Sequence, residues 1–255
     1  MIAHKLVAMT MKLNIAILGS GRMGQTVQHC IESSDDLELA GCWSRTLQAN
    51  GLSAILCRAD VVVDFTLPEA TEEVVGAAIE AGVPLVCGVS GLTESTHQLL
   101  LDAADKIPVL YDRNMSLGIA VLQRMIQMAG AVLGDQFKAE IHEIHHIHKI
   151  DAPSGTALQL GEALAMARGQ VFKDILHYDP ENKSTPEKGQ IELRAERRGE
   201  VRGEHKVIFR NATECLSLEH KVIDRSVFAE GALNAARWLA EKSPGFYSMQ
   251  DVVGQ

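Results

Sequence analysis

The stretch Leu13-Asn14-Ile15-Ala16-Ile17-Leu18-Gly19-Ser20-Gly21-Arg22-Met23-Gly24 decides the fold of this chain. It begins as a short apolar run, which is typical of a strand buried on both faces of a parallel sheet. It ends in the pattern G-x-G-x-x-G, and a predicted helix over Met23–Ser33 follows. Glycine at these spacings permits a tight turn and a close backbone approach to a pyrophosphate, so the stretch predicts a dinucleotide-binding βαβ unit.

The same alternation of strand and helix patterns continues as far as Tyr111. Short apolar runs predict further strands over Leu37–Trp43, Val61–Phe65, Pro84–Val89 and Pro108–Tyr111. Helical patterns between them cover Glu69–Ala81 and Ser95–Lys106, whereas the connection from Arg45 to Asp60 leaves little room for a full helix. Alternation of this kind predicts an α/β fold with a Rossmann-type, doubly wound parallel sheet.

After Asn114 the pattern changes to that of an α+β domain with a mixed or antiparallel sheet. Helices are predicted over Leu117–Leu133 and Thr156–Arg168, and longer strands over Lys138–Ile147, Gln190–Arg197, Glu204–Arg210 and Glu214–His220. A polar loop covers Tyr178–Gly189, and a last amphipathic helix over Phe228–Glu241 is expected to return to the first domain. We therefore expect a dinucleotide-binding domain from 12–114 and 225–255, a substrate and oligomerisation domain from 115–224, and a flexible extension from 1–11, with Met11 as an alternative start.

Composition excludes several classes of function. The chain has 255 residues, 46% of them hydrophobic, and its net charge of -9 opposes binding to nucleic acid or to an anionic membrane. Its five cysteines form no CxxC pair, which predicts reduced thiols in the cytoplasm rather than a disulfide framework or a zinc site. No stretch is expected to approach the roughly 20 apolar residues needed to cross a bilayer.

The end of the second predicted strand carries the residues expected to select the cofactor. NAD-preferring proteins place an acidic residue about 20 positions beyond the glycine turn, but this chain has Ser44 and Arg45 there. A hydroxyl and a guanidinium suit a 2′-phosphate, since Arg can hold a phosphate through two charge-assisted hydrogen bonds. We therefore predict NADPH in preference to NADH; the alternative is that both side chains are only solvated loop residues.

The run from Glu143 to Ala157, E-I-H-H-I-H-K-I-D-A-P-S-G-T-A, concentrates acid–base groups. In a continuous strand, His145, Ile147 and Lys149 would project to one side and the other histidines to the opposite side. A bend before Pro153 would instead bring His145 and Lys149 together. One alternative is a metal site, but a single strand cannot turn four rings onto one ion, so no metal is expected. A second alternative is that the histidines are inert and only hydrogen-bonded.

The second half of this run predicts an anion site. Asp151-Ala152-Pro153-Ser154-Gly155-Thr156 precedes an apolar-periodic helix, and Ser or Thr at such a start acts as a cap. The first backbone N–H groups of a helix have no intrahelical partner and attract a carboxylate. With Lys149 nearby, these features predict a small carboxylate ligand.

The Glu143–Ala157 run closely resembles the signature E-x-H-H-x-x-K-x-D-A-P-S-G-T-A of the 4-hydroxy-tetrahydrodipicolinate reductase family, the dihydrodipicolinate reductases of lysine and diaminopimelate biosynthesis. The resemblance extends over nearly the whole chain from Lys12. It includes Gly21-Arg22-Met23-Gly24, Val63-Asp64-Phe65-Thr66, Gly88-Val89-Ser90-Gly91, Asn114-Met115-Ser116-Leu117-Gly118 and Gly203-Glu204-His205.

The resemblance implies a role for individual residues. His145 corresponds to the family's proton donor and Lys149 to its second catalytic residue, while His146, Gly155 and Thr156 correspond to positions that bind the dicarboxylate substrate. The implied cofactor contacts are Gly19, Ser20, Gly21, Arg22, Met23, Gly24, Gly88, Val89, Ser90, Asp112, Arg113, Asn114 and Met115. The family also implies a cytoplasmic homotetramer assembled through the sheets of the substrate domains.

Two other functions share part of this pattern. Another two-domain NAD(P) dehydrogenase of imino or keto acids would carry the glycine turn, but it does not need the D-A-P-S-G-T segment beside a His-His pair. A non-catalytic NADPH sensor would also carry the turn, but it needs no proton donor beside an anion site. Turnover of the freshly made dihydrodipicolinate precursor distinguishes both from the family reaction.

Overall fold

The computed structural model describes residues 11–46, 51–181 and 183–254. They fall into two compact units: the first runs to Asp112 and resumes over Ala229–Ser248, and the second comprises Arg113–Phe228 and the residues from Met249 onwards. The sequence division assigned all of 225–255 to the first domain, whereas here the last residues group with the second unit. Of the expected extension 1–11, only Met11 is among the described residues.

Strands and helices alternate in the first unit, as the pattern of apolar runs predicts. The strands are β1 Leu13–Leu18, β2 Leu37–Trp43, β3 Val61–Asp64, β4 Leu85–Cys87 and β5 Pro108–Tyr111. The helices are α1 Arg22–Glu32, the short α2 Leu52–Leu56, α3 Thr71–Ala81 after a 3-10 turn, and α4 Glu94–Ala103.

The second unit begins with the long helix α5, Leu117–Leu133, and strand β6, Lys138–His145. There follow α6 Gly155–Ala167, α7 Phe172–Ile175, β7 Leu176–Tyr178, β8 Ile191–Arg197, β9 Glu204–Arg210 and β10 Cys215–Lys221. Helix α8, Ser226–Leu239, leads back to the first unit, where β11 Gly245–Tyr247 lies, and α9 Met249–Val252 ends the chain's regular structure.

The first unit contains a parallel sheet in the order β11-β5-β4-β3-β1-β2. Strands β3 and β4 are buried along their whole length, as strands covered on both faces must be. Because β2 lies on one side of β1 and β3 on the other, the strand order reverses at β1, and a crevice forms outside the carboxyl ends of the strands. The predicted doubly wound fold is confirmed, and the glycine turn lies at this crevice.

The second unit contains a mixed sheet in the order β10-β9-β6-β8-β7. Strand β6 is central, antiparallel to β9 and parallel to β8. One face of the sheet packs against α5 and α6 in an apolar core that includes Ile141, Leu193 and Phe209. The predicted mixed sheet is therefore confirmed, although the sequence pattern did not predict β7 or β11.

Helix α5 and the turn after it, Leu117–Gln136, form a 20-residue segment that contains an 18-residue stretch with a mean hydropathy of 1.4. By length and composition alone it meets the criterion for a membrane span, so the expectation that no stretch approaches that length does not hold here. Its buried side, with Ile119, Leu122 and Ile126, packs into the core of the second unit. That packing is typical of the core helix of a globular domain.

Two glycines of the first unit should respond in opposite ways to a methyl group. A Cβ on Gly24 in α1 would lie 1.8 Å from the carbonyl oxygen of Gly19, whereas a Cβ on the exposed Gly76 in α3 would meet nothing within 4 Å. Gly24→Ala should cost about 1–3 kcal/mol of unfolding free energy, and Gly76→Ala should add about 0.5–1 kcal/mol. Thermal unfolding measures both; equal effects would contradict the packing described for Gly24.

Candidate active site

The glycine turn brings three glycines together, each for a different reason. Gly19 has a φ of 106°, and a Cβ there would lie 2.6 Å from the carbonyl oxygen of Phe65. Gly24 has no room for a side chain, because the carbonyl oxygen of Gly19 occupies the Cβ position. Gly21, in contrast, faces open space at the start of α1, with nothing within 4 Å of a Cβ position. The turn is therefore tightly packed at Gly19 and Gly24 but open at Gly21, as a site for a backbone-bound phosphate requires.

Helix α1 offers the anion-binding groups of this turn. Gly21 is its N-cap and makes no side-chain cap hydrogen bond. Nearby, Arg22 is exposed at the first helical position, and the N–H groups of the first turn have no partner within the helix. The combination of uncapped amides and positive charge fits a pyrophosphate.

A cavity of about 350 Å³ adjoins the turn at the carboxyl edge of the sheet. Ser44 and Arg45 line it, together with the loop after β3. Ser44 is buried and lies 3.2 Å from Thr46 through their hydroxyl oxygens. The Arg45 guanidinium donates to the carbonyl oxygen of Glu69 and lies 3.7 Å from the Glu73 carboxylate. The structure thus places both predicted selectivity residues on the same cavity as the glycine turn.

The loop after β4 approaches the same edge. The Gly88 N–H donates to the Asp64 carbonyl oxygen at 2.9 Å, and a Cβ on Gly88 would lie 2.3 Å from the Phe65 ring. Val89 is buried and Ser90 is exposed. Phe65 therefore contacts both glycine segments, a role that the V-D-F-T pattern alone did not reveal.

Asp64 ends β3 as a fully buried carboxylate. Its Oδ1 accepts the Thr66 N–H at 2.8 Å, while its Oδ2 has no partner among the described residues. Burial raises the pKa of Asp64 to about 6, against the opposing effect of the Thr66 hydrogen bonds. Asp64 holds the loop that lines the cavity, at a cost in desolvation.

In the second unit, β6 places Glu143 and His145 on its buried face. Glu143 contacts His145 Nδ1 through Oε2, and its Oε1 accepts the Ser154 N–H at 3.0 Å. The Arg197 guanidinium, from the neighbouring β8, donates to the same Oε1 at 3.2 Å. Burial opposes ionisation of Glu143, but His145, Ser154 and Arg197 outweigh it and lower its pKa to about 2.

His205 completes this cluster from β9. Its ring meets the His145 ring edge-on, with centroids 5.2 Å apart, and its Nε2 lies 3.4 Å from the Ser154 hydroxyl. Burial lowers the pKa of His205 to about 3, and the neighbouring His145 ring acts in the same direction. His205 is therefore neutral near pH 7. The sequence indicated His205 only as the last residue of the family motif Gly203-Glu204-His205.

Glu143, His145 and His205 also offer three potential metal-ligand atoms within 4.8 Å of one another. The Arg197 guanidinium beside Glu143 opposes a divalent cation at that point. Glu143 also already accepts hydrogen bonds through the oxygen nearest Arg197. The donor set thus favours a histidine–carboxylate pair over a metal centre.

The strand ends at His145, two residues earlier than predicted. The Ile147 N–H donates to the carbonyl oxygen of Gly199, and the Lys149 N–H donates back to His146 in a turn. The continuous-strand alternative for Ile147 and Lys149 is therefore wrong, and the chain bends after His145, as the other alternative requires. Within it the Lys149 ammonium lies 2.8 Å from Asp151.

His146 faces a second positive group. The Arg225 guanidinium donates to His146 Nε2 at 3.1 Å, and burial together with this charge lowers the pKa of His146. The lone pair that accepts from Arg225 requires a neutral imidazole. Sequence reasoning did not identify Arg225 as a neighbour of the histidine run.

The start of α6 has the form predicted for an anion site. Ser154 is the N-cap, and its hydroxyl accepts the Ala157 N–H at 3.2 Å. Gly155 is open, with only Arg113 near a Cβ position, at 3.9 Å. Thr156 accepts a hydrogen bond from Asn114 at 3.0 Å. Gly155 and Thr156 lie in the first turn of α6, where backbone N–H groups have no acceptor within the helix.

The run Asp112–Met115 spans the junction between the units. Asp112 is buried, and its N–H donates to Cys87 at 3.4 Å. Arg113 lies 3.2 Å from Glu162 on α6, and Met115 is buried. Within the second unit, the segment expected to contact the cofactor is therefore joined to the helix that carries Gly155 and Thr156.

A doubly wound sheet with a glycine-rich turn, joined to a mixed-sheet unit bearing a histidine–carboxylate pair, defines an oxidoreductase that uses a nicotinamide cofactor. Family models described as dihydrodipicolinate reductase, N-terminus and C-terminus, match residues 13–115 and 118–253. The chain belongs to the dihydrodipicolinate reductase family.

Individual relatives agree. A 4-hydroxy-tetrahydrodipicolinate reductase of Zymomonas mobilis is 40% identical over 248 residues, covering 95% of this chain and 97% of the relative. One from Caulobacter vibrioides is 41% identical over 254 residues, covering 96% and 99%. Among solved structures, a dipicolinate-bound dihydrodipicolinate reductase from Paenisporosarcina has a TM-score of 0.77 at 21% identity and covers 94% of this chain and 99% of its own, which supports the fold.

Replacing Asp64 should make stability less dependent on pH. The folded-state pKa of about 6 lies above the roughly 3.9 of an unfolded Asp, so ionisation of Asp64 destabilises the fold progressively from about pH 4 to pH 6. Relative to the parent, Asp64→Asn should therefore gain stability as pH rises from about 4 to 7, by roughly 2–3 kcal/mol. Thermal unfolding against pH measures this. The exposed Asp105→Asn is the control, and parallel curves for Asp64→Asn and the parent would contradict the prediction.

Proposed function

We propose that this chain catalyses the NAD(P)H-dependent reduction of 4-hydroxy-tetrahydrodipicolinate to tetrahydrodipicolinate with loss of water, in lysine and diaminopimelate biosynthesis. The observation that carries this proposal is the Glu143–His145 pair beside the open start of α6. One element supplies a proton and the other binds a carboxylate. The names of the relatives describe the same reaction.

The first unit fits a dinucleotide, because Gly21 leaves space for a phosphate and the adjoining cavity of about 350 Å³ lies at the reversal of strand order. The bound nicotinamide supplies a hydride. Gly19 through Gly24 would hold its pyrophosphate, Gly88–Ser90 would lie along the nucleotide, and Asp112–Met115 would contact the nicotinamide end. We further propose NADPH as the preferred cofactor, since Arg45 and Ser44 line the cavity.

The second unit supplies the acid–base and binding groups. Reduction of a conjugated imine builds negative charge that a proton must neutralise, and His145 is the proton donor. Lys149 supplies positive charge that attracts a dicarboxylate and stabilises the developing charge. The N–H groups of Gly155 and Thr156 hold one carboxylate, and His146 binds the substrate beside them.

We also propose a cytoplasmic homotetramer that assembles through the sheets of the second units. The negative net charge of -9 and the reduced cysteines agree with a cytoplasmic enzyme that has a small anionic substrate. Strand β10 lies at one edge of the second sheet and is largely exposed, which supports assembly there.

Replacing the proton donor should slow the chemistry more than binding. His145→Gln should lower kcat by roughly 10²- to 10⁴-fold with a smaller change in substrate KM. Lys149→Ala should impair both kcat and KM, because its charge acts in binding and in the transition state. Steady-state assays on freshly made synthase product measure both variants, and a nearly normal kcat for His145→Gln would contradict its role.

Removing the guanidinium at position 45 should reduce cofactor discrimination. Arg45→Ala should lower kcat/KM for NADPH by roughly 10- to 100-fold, since a charge-assisted contact to a phosphate is lost, and should change that for NADH little. Arg58→Ala, an exposed arginine of the same unit outside the cavity, is the matched control. An unchanged ratio of kcat/KM for NADPH to kcat/KM for NADH in Arg45→Ala would contradict the assignment of Arg45 as the residue that selects the cofactor.

A further inference from the structure

We propose that Glu143 is a positioning residue that fixes the tautomer of His145 and ties it to the start of α6. This inference rests on the proposed function for its kinetic consequence, although its structural part stands without turnover. Glu143 does not contact the reacting atoms. It acts through His145 and through Ser154.

The two oxygens of Glu143 have separate partners. Oε1 accepts the Ser154 N–H at 3.0 Å and the Arg197 guanidinium at 3.2 Å. Oε2 faces His145 Nδ1. Because Glu143 is buried and rigidly held in β6, this arrangement links the proton donor directly to the residue that caps the anion-binding helix.

The contact at Nδ1 determines which nitrogen of His145 can serve the substrate. A carboxylate accepts only, so Nδ1 keeps its proton and Nε2 is the nitrogen that exchanges one. The Nε2 atom lies beside Gly203, where a Cβ would come within 3.3 Å and φ is +148°, so Gly203 itself places no side chain against this nitrogen. Proton transfer then breaks the Nε2–H bond of the imidazolium and forms a bond to the substrate, and the electron pair remains on Nε2. A solvent proton restores the donor.

Charged groups on every neighbouring element bear on this imidazole. Arg197 on β8 and Lys149 on the following turn are positive, while His205 on β9 is neutral near pH 7. Asp151 and Glu200 face the turn itself, through Lys149 and His148. Glu143 is the acid in direct contact with the His145 ring, through Nδ1.

Glutamine at position 143 would reverse the donor and acceptor roles at the Nδ1 contact rather than merely weaken that contact. Ser154 and Arg197 both donate to the Oε1 position, so the amide oxygen of Gln would occupy that place. Its NH2 group would then face Nδ1 and donate to it, which moves the His145 proton to Nε2. The backbone contact at Ser154 survives, so the substitution isolates the effect on His145.

The test combines kinetics with nitrogen-15 NMR of the histidine rings, the His145 signal being assigned by its absence in His145→Gln. Glu143→Gln should lower kcat roughly 100-fold or more with little change in substrate KM, and should move the alkaline limb of the pH–rate profile to lower pH. The NMR spectrum of the parent should show the Nδ1–H tautomer of His145, and that of Glu143→Gln the Nε2–H tautomer.

Glu140→Gln is the matched control, because Glu140 also lies on β6 and contacts a histidine, His142 at 3.2 Å, and an arginine, Arg210 at 3.1 Å. It should leave kcat and the pH profile unchanged. An Nε2–H tautomer in the parent overturns the inference even if Glu143→Gln fails to fold. If the tautomer reverses in Glu143→Gln but the parent protein itself shows no turnover, the proposed function is refuted and the positioning role remains.

Discussion

A charged carboxylate inside the second unit governs the arrangement around it. Glu143 is almost fully buried, and a buried ion is stable only when charge and hydrogen bonds compensate it. The compensation comes from three separate stretches of chain, through His145, Ser154 and Arg197. Loss of any of them would leave the charge under-compensated, so the strand end, the helix start and β8 hold one another in place.

The first unit depends on a different constraint, the close contact of backbones at the carboxyl edge of its sheet. Gly19 and Gly88 both pack against Phe65, and the Asp64 side chain holds the loop that follows. The cavity beside the glycine turn is therefore formed mainly by packing, whereas the candidate site in the second unit is formed mainly by charge.

The sequence predicted those parts of the fold that follow from local pattern. Strands buried on both faces, such as β1, are continuous apolar runs, and the glycine turn has only a few physical explanations. The three-residue strands β7 and β11 are too short to carry a periodic signal, and both were missed. The strand predicted as far as Ile147 ends at His145, and the Ile147 N–H instead donates to the carbonyl oxygen of Gly199, more than 50 positions along the chain.

The candidate site shows the same division. His145, Lys149, Gly155 and Thr156 lie in one run with a recognisable pattern, so sequence alone could predict them as one candidate group. Arg197, Arg225 and His205 lie on distant parts of the chain, and the pairing of β6 with β8 and β9 brings two of them to the run. No local pattern could show that Glu143 joins His145 to the helix cap.

The packing of Phe65 also constrains the order in which substitutions can accumulate. Gly19 meets the backbone of Phe65, so no change of side chain at 65 would make room for a larger residue at 19. Gly88 meets the ring instead, so a smaller residue at 65 would create that room. Position 88 is thus free to vary only after position 65 has changed, whereas position 19 stays fixed along either mutational path.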